Sequence, residues 1–460
     1  MSVSPAPAAG SIRRTLTGWG RYPRAETAVF RPDRLSSLAS LVGSTDASLI
    51  ARGCGASYGD ASMNAAGGTV LTERLDRFLA FDEETRILSC EAGVTIAEVL
   101  AMLMPRGMFP PVSPGTKFVT LGGCIACDVH GKNHHRHGSL AAHLIDFHLL
   151  TANGEVVRCS RDERPDLFWA TIGGMGLTGI VTELRLRMAR AETPFVAVDY
   201  DRAENLDAAL RLFDDDQEYA YSVAWIDCLA RGRALGRSVL MRGDSLEAAE
   251  AARRGLPAGR WDAPSRITVP FELPAALLNP VAVGAFNALY YRRHPARARR
   301  VPVHFDAFFY PLDRLRRWNR LYGRRGFLQY QCVVPFQGGR ETLRRILETV
   351  AVSRLASFLA VLKRFGEADP AQMLSFPMAG YTLALDLPRS DDRVFALLER
   401  LDEIVAGGGG RVYLAKDARL TPDRFRAMYP EFPRWLQVKR RVDPANRFRS
   451  DLGTRLGLQP

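Results

Sequence analysis

The stretch Pro114 to Ser139, PGTKFVTLGGCIACDVHGKNHHRHGS, constrains this chain more than any other. Its turns at Pro114-Gly115-Thr116, Gly122-Gly123 and Gly131 let backbone approach a ligand with no Cβ to hold it off. Exposed N–H groups there suit phosphate. Six of the eight histidines lie between His130 and His148, so one short region carries most of the groups that titrate near neutrality. His130 with His134, or His134 with His137, has helical spacing. Gly131 and Gly138 argue against a helix, however, and no Cys or carboxylate completes a tetrahedral set, so no metal is expected. His134, His135, His137 and His143 read equally well as solvated loop residues. His130 differs, because it adjoins the glycine turn with Lys132 two residues on.

A second glycine loop, Arg52-Gly53-Cys54-Gly55-Ala56-Ser57-Tyr58-Gly59-Asp60, follows a short predicted strand at Leu49-Ile50-Ala51. Its GxGxxxG spacing suits a pyrophosphate wrapped by backbone N–H groups, but lacks both a Walker lysine and the GxGxxG fingerprint. A true GxGxxG occurs at Gly174 to Gly179. Ile180 to Met188 then alternates as a strand rather than opening a helix, which excludes an ordinary dinucleotide site there.

With 460 residues the chain exceeds the usual single-core limit, and two domains, possibly interleaved, are expected. The formal charge of +12 favours anionic partners, although no nucleic-acid recognition motif accompanies it. Seven cysteines form an odd set. Cys124 to Cys127 is one CxxC, but inside the cradle small size explains it better than redox work, and the set fits a reducing compartment. The first residues, MSVSPAPAAG, read as a flexible tail rather than a signal peptide, and no run is long enough to span a bilayer. The expected location is cytoplasmic, with association at an inner membrane surface open.

Short strands are expected at Val70 to Thr72, Phe78 to Phe81, Ile87 to Ala92, His143 to Thr151 and Val156 to Cys159, with a hairpin turn at Asn153-Gly154. Helices are expected at Pro32 to Val42 and Thr95 to Met104. Farther on, Tyr219 to Asp227, Val303 to Phe309 and Phe327 to Val334 read as strands, Arg340 to Val352 and Asp391 to Val405 as helices, and Gly407 to Gly410 as a hinge. The fold class is α+β. Ile267 to Tyr291 is apolar, and Arg292 to Val301 adds Arg292, Arg293, Arg297, Arg299 and Arg300, a pairing suited to peripheral contact with anionic lipid through 267–301.

Taken together, RGCGASYGD, PGTKFVTLGGCIACDVHGKNHH, LLTANGEVV and DLFWATIGGMGLTGIV resemble the PCMH-type FAD-binding domain of the vanillyl-alcohol oxidase and p-cresol methylhydroxylase superfamily. LTGWGR, GFLQYQ, LKRFG and LAKDARLTPDRFRAMYP extend the resemblance to the family of decaprenylphosphoryl-β-D-ribose 2′-oxidases, flavoenzymes that oxidise a lipid-linked ribose. The resemblance implies a tail at 1–12, a two-subdomain FAD-binding domain at 13–193, an inserted α+β substrate cap at 194–407 and a C-terminal return at 408–460.

By position, the resemblance implies that Arg52, Gly53, Cys54, Gly55, Ala56, Ser57, Tyr58 and Gly59 wrap the FAD pyrophosphate. Gly115, Thr120, Leu121, Gly122 and Gly123 form the other side, and Cys127, Asp128, Val129 and His130 run beside the isoalloxazine, with Ile180 and Tyr413 completing the contacts. Ala56 and Ser57 stand where many relatives carry a linking histidine, so non-covalent FAD is expected. The resemblance assigns catalysis to Lys416, His130 and Tyr58, and substrate contacts to Lys132, Gln329, Gln331, Lys363, Phe365, Thr382, Ala384 and Asp386. Thr382 and Ala384 depart from the asparagine and cysteine of mycobacterial members; without that thiol, activated nitroarenes should form no covalent adduct visible by intact-protein mass spectrometry. The implied reaction moves hydride from the 2′ carbon of a polyprenylphosphoryl ribose to flavin N5. A separate NAD(P)H-dependent keto-reductase is the implied partner, with oxygen or a membrane quinone as electron acceptor; oxidation of a soluble polyol or aldonolactone is the alternative.

Overall fold

The computed structural model describes residues 10–215, 217–257, 267–272, 274, 279–355, 357, 359–389 and 392–459. Most of the 1–12 tail, and 273 and 275–278 within the apolar 267–301 segment, lie outside the described residues. Among the described residues the strands form three principal sheets.

The first is four-stranded, in the order Ile12–Thr17, Arg24–Phe30, Gly68–Leu71, Leu49–Arg52, its last three strands parallel. The RGCGASYGD loop leaves the C-terminal end of Leu49–Arg52, the edge where parallel strands commonly present a ligand site. A five-stranded antiparallel sheet follows, ordered Phe78–Asp82, Ile87–Glu91, Ile180–Arg187, Leu144–Leu150, Val156–Ser160. Its terminal hairpin turns at Asn153-Gly154, where Gly154 takes φ 85°. The GxGxxG segment does run into a strand, as its alternation predicts. The helix Ile96–Leu103 carries a capping box: Thr95 accepts from the Glu98 N–H and Glu98 accepts from the Thr95 N–H. Ile96, Val99, Leu100 and Leu103 form its buried stripe.

The third sheet has eight antiparallel strands: Arg297–His304, Phe195–Ala203, Ser238–Ser245, Tyr221–Ile226, Ala360–Phe365, Gly380–Pro388, Phe327–Pro335 and Arg411–Val412. Register matters most in its central strands. Gln329 faces Asp386, Gln331 faces Ala384, and Lys363 faces Thr382. Residues two apart share a face, so Phe327, Gln329 and Gln331 project together. The helices Phe336–Ser353 and Arg393–Gly407 pack on the strands through stripes such as Leu343, Ile346, Leu347, Val350 and Leu397, Leu401, Ile404. The glycine run then turns the chain onto the edge of the same sheet, where Arg411–Val412 pairs with Cys332 and Val333.

Three local readings change. The strand expected over Val303 to Phe309 stops at His304, and Phe305–Phe309 is a helix. His304 caps it by accepting from the Asp306 N–H, and Phe305, Phe308 and Phe309 bury together at helical spacing. His134–His137 also forms one helical turn despite its flanking glycines, with Gly138 at φ 69° ending it. Finally, the arginine-rich run is not a free basic cluster. Arg299 and Arg297 reach Asp201 at 2.9 Å and 4.0 Å, and Arg300 pairs with Glu250.

Candidate active site

The RGCGASYGD loop is pinned from both ends of the chain. The Trp19 N–H donates to Ser57 O at 2.8 Å, and the Tyr58 N–H donates to Ala415 O at 2.9 Å. Such close crossings require glycine: a Cβ on Gly18 would lie 2.5 Å from Gly59 O, and one on Gly59 1.9 Å from Asp417 O. Arg52 anchors the loop base by donating to Thr17 O at 2.7 Å, and Gly53 packs against the Thr120 side chain. Among the described residues the N–H groups of Gly55, Ala56 and Ser57 have no protein acceptor. Cys54 is exposed beside them.

The facing segment works differently. Leu121 and Gly122 donate to Val94 O and Ala92 O, both at 2.8 Å, and Gly123 donates to the Thr120 side chain. These amides are spent on the scaffold, so this side gives shape rather than phosphate donors. Gly115 faces open space. Beyond the short helix Leu121–Ala126, Cys127 lies with its Sγ 3.9 Å from Ser57 Oγ, joining the two loops. Asp128 follows at φ 41° and is fully buried, its carboxyl pushed up to about 6 by desolvation. The Leu121, Asp128 and Ile180 side chains sit behind the wall; Ile180 packs into a core cluster with Phe30, Leu49 and Phe448. Val129 continues the wall, its N–H donating to Cys124 O.

His130 stands at the centre of an aromatic cage made by Phe365, Phe376 and Tyr413, with ring centroids 4.8, 5.5 and 5.2 Å away. Tyr413 donates its hydroxyl to Cys127 O at 2.8 Å. Burial, then the charges of Lys363, His134 and Lys416, hold the His130 imidazole neutral at ordinary pH. Gln331 Nε2 lies 2.9 Å from His130 Nε2 and 3.3 Å from the Thr382 hydroxyl. An amide nitrogen only donates, so Nε2 accepts and the ring proton sits on Nδ1. That buried Nδ1 has no protein partner. His134 is buried rather than solvated, its ring tilted against Phe365 with centroids 4.4 Å apart, and its pKa is depressed by desolvation to about 3.

Around this cage stand three lysines. Lys132 donates to Phe308 O and lies 4.3 Å from the Phe308 ring centroid. Desolvation, then Lys363, pulls it down to about 7. Lys363, across the ladder from Thr382, lies 5.9 Å from the Phe365 ring and falls to about 8 through desolvation. Lys416 sits 3.9 Å over the Tyr58 ring. Burial lowers its pKa, the charge of Asp386 opposes that shift, and Lys363 adds to it. Burial raises the Asp386 pKa, while its hydrogen bond from Gln329 and the charge of Lys416 pull it back. Ala384 occupies the same strand opposite Gln331 and contributes no polar atom.

The arrangement therefore gathers Tyr58, His130, Lys132, Gln329, Gln331, Lys363, Phe365, Thr382, Asp386 and Lys416 from both halves of the chain. Two groups escaped the sequence reading. Phe376 stacks on Tyr413 at 4.7 Å, with no local signal to mark it. Arg455 donates to both Asp60 oxygens, at 2.9 and 2.8 Å, and forms an ion pair with Asp417 at 2.9 Å. This ties the glycine loop, the Lys416 segment and the C-terminal helix Asp451–Leu456 into one network. Asp60 and Asp417 close the motifs RGCGASYGD and LAKD, but nothing local singles out Arg455. Among the described residues, no three His, Cys, Asp or Glu side chains converge as metal ligands.

A family model for an FAD binding domain matches residues 27–160, and one described as D-arabinono-1,4-lactone oxidase matches residues 324–456. Cytokinin dehydrogenase 8 of rice (Oryza sativa subsp. indica) is 32% identical over 134 residues, 29% of this chain and 24% of that protein. A putative D-arabinono-1,4-lactone oxidase of Neurospora crassa is 25% identical over 172 residues, 37% of this chain and 30% of that protein. The fold and site thus define an FAD-dependent oxidoreductase with a PCMH-type FAD-binding domain.

Decaprenylphosphoryl-β-D-ribose oxidase of Mycolicibacterium smegmatis is 37% identical over 454 residues, 97% of this chain and 98% of that protein. The chain belongs to the decaprenylphosphoryl-β-D-ribose oxidase family. Its residues fit FAD: the free amides at Gly55 to Ser57 suit a pyrophosphate, and the buried His130 Nδ1 has no protein partner.

Proposed function

We propose that this enzyme oxidises the 2′ carbinol of a polyprenylphosphoryl-β-D-ribose-type lipid to the 2′-keto sugar. The observation that carries the reading is that Lys363 acts on both Lys132 and Lys416, with the Asp386 carboxylate acting on Lys416, at a pocket walled by FAD-binding loops. In the substrate the phosphate sits on the carbon next to the one oxidised, so one pocket must hold an anion and release a hydroxyl proton. Two half-buried cations, Lys132 and Lys363, and a third lysine of lowered pKa beside a carboxylate suit that double demand.

Bound FAD supplies the hydride acceptor. The residues of this chain do the rest. Lys416, its pKa lowered by burial, takes the hydroxyl proton, and Asp386 holds its ammonium in place. Lys132 and Lys363 receive the phosphate. Gln329 fixes Asp386, and Gln331 fixes the His130 tautomer so that Nδ1–H faces ligand. Thr382 and Phe365 line the sugar, and Tyr58 shields Lys416 from water. Ala56 and Ser57 supply no nucleophile for a flavin link, so FAD is held without a covalent bond. The domain division is 13–193 and 408–460 for FAD and 194–407 for the cap. The keto product goes to a separate NAD(P)H-dependent reductase, a membrane quinone takes the electrons, and 267–301 contacts lipid through exposed Val281, Phe286 and Leu289. Among the described residues no helix is long and apolar enough to cross a membrane.

The test is anaerobic bleaching of the flavin band near ~450 nm by polyprenylphosphoryl ribose, with xylitol and a galactonolactone as controls. Bleaching by the lipid alone is expected. Bleaching by the soluble compounds alone would transfer the enzyme to polyol or aldonolactone oxidation, the reading favoured by the D-arabinono-1,4-lactone oxidase match over 324–456.

A further inference from the structure

The strands Ala360–Phe365 and Gly380–Pro388 are antiparallel neighbours, which a hairpin of about 2–5 residues would join. Instead the chain leaves the sheet there and runs against the FAD-binding half as a strap, residues 366–379. Met373, Leu374, Ser375 and Phe376 are buried in it, and Phe376 is the ring that stacks on Tyr413 and completes the cage around His130. The FAD-binding half holds the strap at several points. Gly173, at φ 72°, comes so close that a Cβ there would lie 2.8 Å from Ser375 Cα. Arg161 pairs with Asp369 at 2.9 Å and donates to Ala141 O at 3.0 Å, although an ion pair this exposed adds little. Gln372 Nε2 donates to Asp128 Oδ2 at 3.2 Å.

Asp128 is the costly member of that contact. It is fully buried, and among the described residues hydrogen bonds rather than a cation oppose the desolvation of its carboxyl. Its backbone stands at φ 41°, in the left-handed region that residues with a Cβ seldom enter. Both costs fall on one position, next to Cys127, whose carbonyl accepts the Tyr413 hydroxyl, and two residues before His130. Costs of this kind are kept where geometry serves function. Both carboxylate oxygens have protein donors: Oδ1 accepts from the Ala141 N–H at 3.4 Å and Oδ2 from Gln372. One buried side chain thus ties the loop behind the flavin wall to the strap that carries Phe376.

We propose that Asp128 is a positioning residue for the oxidation, acting through the strap: by holding Gln372 it keeps Phe376 against Tyr413 and His130, and so keeps the His130 ring in place beside the flavin. It touches neither the cofactor nor the substrate itself. The consequence for rate rests on the oxidase reading given above; the clasp between wall and strap does not.

The test compares the FAD-loaded enzyme with three variants. Gln372→Ala removes the donor from a half-buried loop position, where folding is least at risk. It is expected to bind FAD stoichiometrically, to raise amide hydrogen exchange across 371–376, to change the visible circular dichroism of the bound flavin, and to slow anaerobic flavin reduction by polyprenylphosphoryl ribose about tenfold. Asp128→Ala should do the same. Asp128→Asn should restore most of the rate and the dichroism, because its amide can accept from the Ala141 N–H and donate to Gln372 Oε1, which is buried and has no partner. A purely structural role would lower the urea midpoint and leave the reduction rate of bound flavin unchanged. That result, a Gln372→Ala enzyme with wild-type exchange and dichroism, or an Asp128→Asn enzyme as impaired as Asp128→Ala would each overturn the proposal. Should Asp128→Ala not fold, Gln372→Ala decides. Wild-type flavin left unbleached by the lipid would sink the oxidase reading instead, and exchange and dichroism would still decide the clasp.

Discussion

Lys416 is held over Tyr58 within reach of the Asp386 charge, so its replacement removes a proton acceptor without opening the FAD loops. Lys416→Met should bind FAD normally and slow substrate-dependent flavin reduction by roughly 10²–10⁴-fold, the usual worth of a positioned base. Stopped-flow reduction within threefold of wild type would refute that role. Lys132 and Lys363 give a second prediction. Each is cationic below its depressed pKa, about 7 and about 8, and loses its charge as pH rises through that value. Affinity for an unreactive anion such as farnesyl phosphate should therefore be highest below pH 7 and fall steadily toward pH 9, by up to about tenfold per pH unit for each cation that must be protonated. A pH-independent dissociation constant would place the phosphate elsewhere.

At the scale of elements, the helix Phe432–Val442 secures the GxGxxG turn through one buried side chain. Lys439 donates to Leu177 O at 2.7 Å and Phe448 O at 2.8 Å and pairs with Asp443, which accepts from the Arg447 and Phe448 N–H groups. Both members of the pair are fully buried, so removing one leaves an uncompensated charge and open carbonyls. Lys439→Met should cost about 3–5 kcal/mol, read as a lower midpoint in urea. The double variant Lys439→Met/Asp443→Leu should recover part of that loss. A single variant as stable as wild type would show that the pair contributes nothing net. The glycine fingerprint, which serves phosphate in other folds, here serves the junction between a helix and the strand Ile180–Arg187.

Across the whole molecule, Arg455 links Asp60 to Asp417 and so couples the FAD loop to the segment that carries Lys416. Burial alone would lower its pKa, but Asp417 and Asp60 more than offset that, so it stays cationic throughout the accessible range. Arg455→Ala should weaken FAD binding by about tenfold or more, since it strands two buried carboxylates, and should also slow reduction of the flavin that remains bound. A titration giving wild-type FAD affinity would leave the network a purely local brace.

What the sequence determined by itself is the set of short-range devices. Glycine spacing in RGCGASYGD marked a loop with backbone free to approach a ligand, the amphipathic run from Thr95 to Met104 marked a helix, Asn153-Gly154 marked a hairpin, and alternation after Gly179 marked a strand, because each is encoded by backbone needs within a few residues. The same short range misled where local and tertiary demands differ, as at Phe305–Phe309, where three buried phenylalanines favour a helix over a strand. The tertiary structure alone decided which of those loops keeps free amides, that Gly122 spends its own on Ala92, and that His134 is buried. It also decided the convergence of Lys416 with Tyr58 and Asp386, and of Arg455 with Asp60 across 395 positions. Such contacts depend on strand register and domain packing summed over the whole chain, and no single segment carries that information.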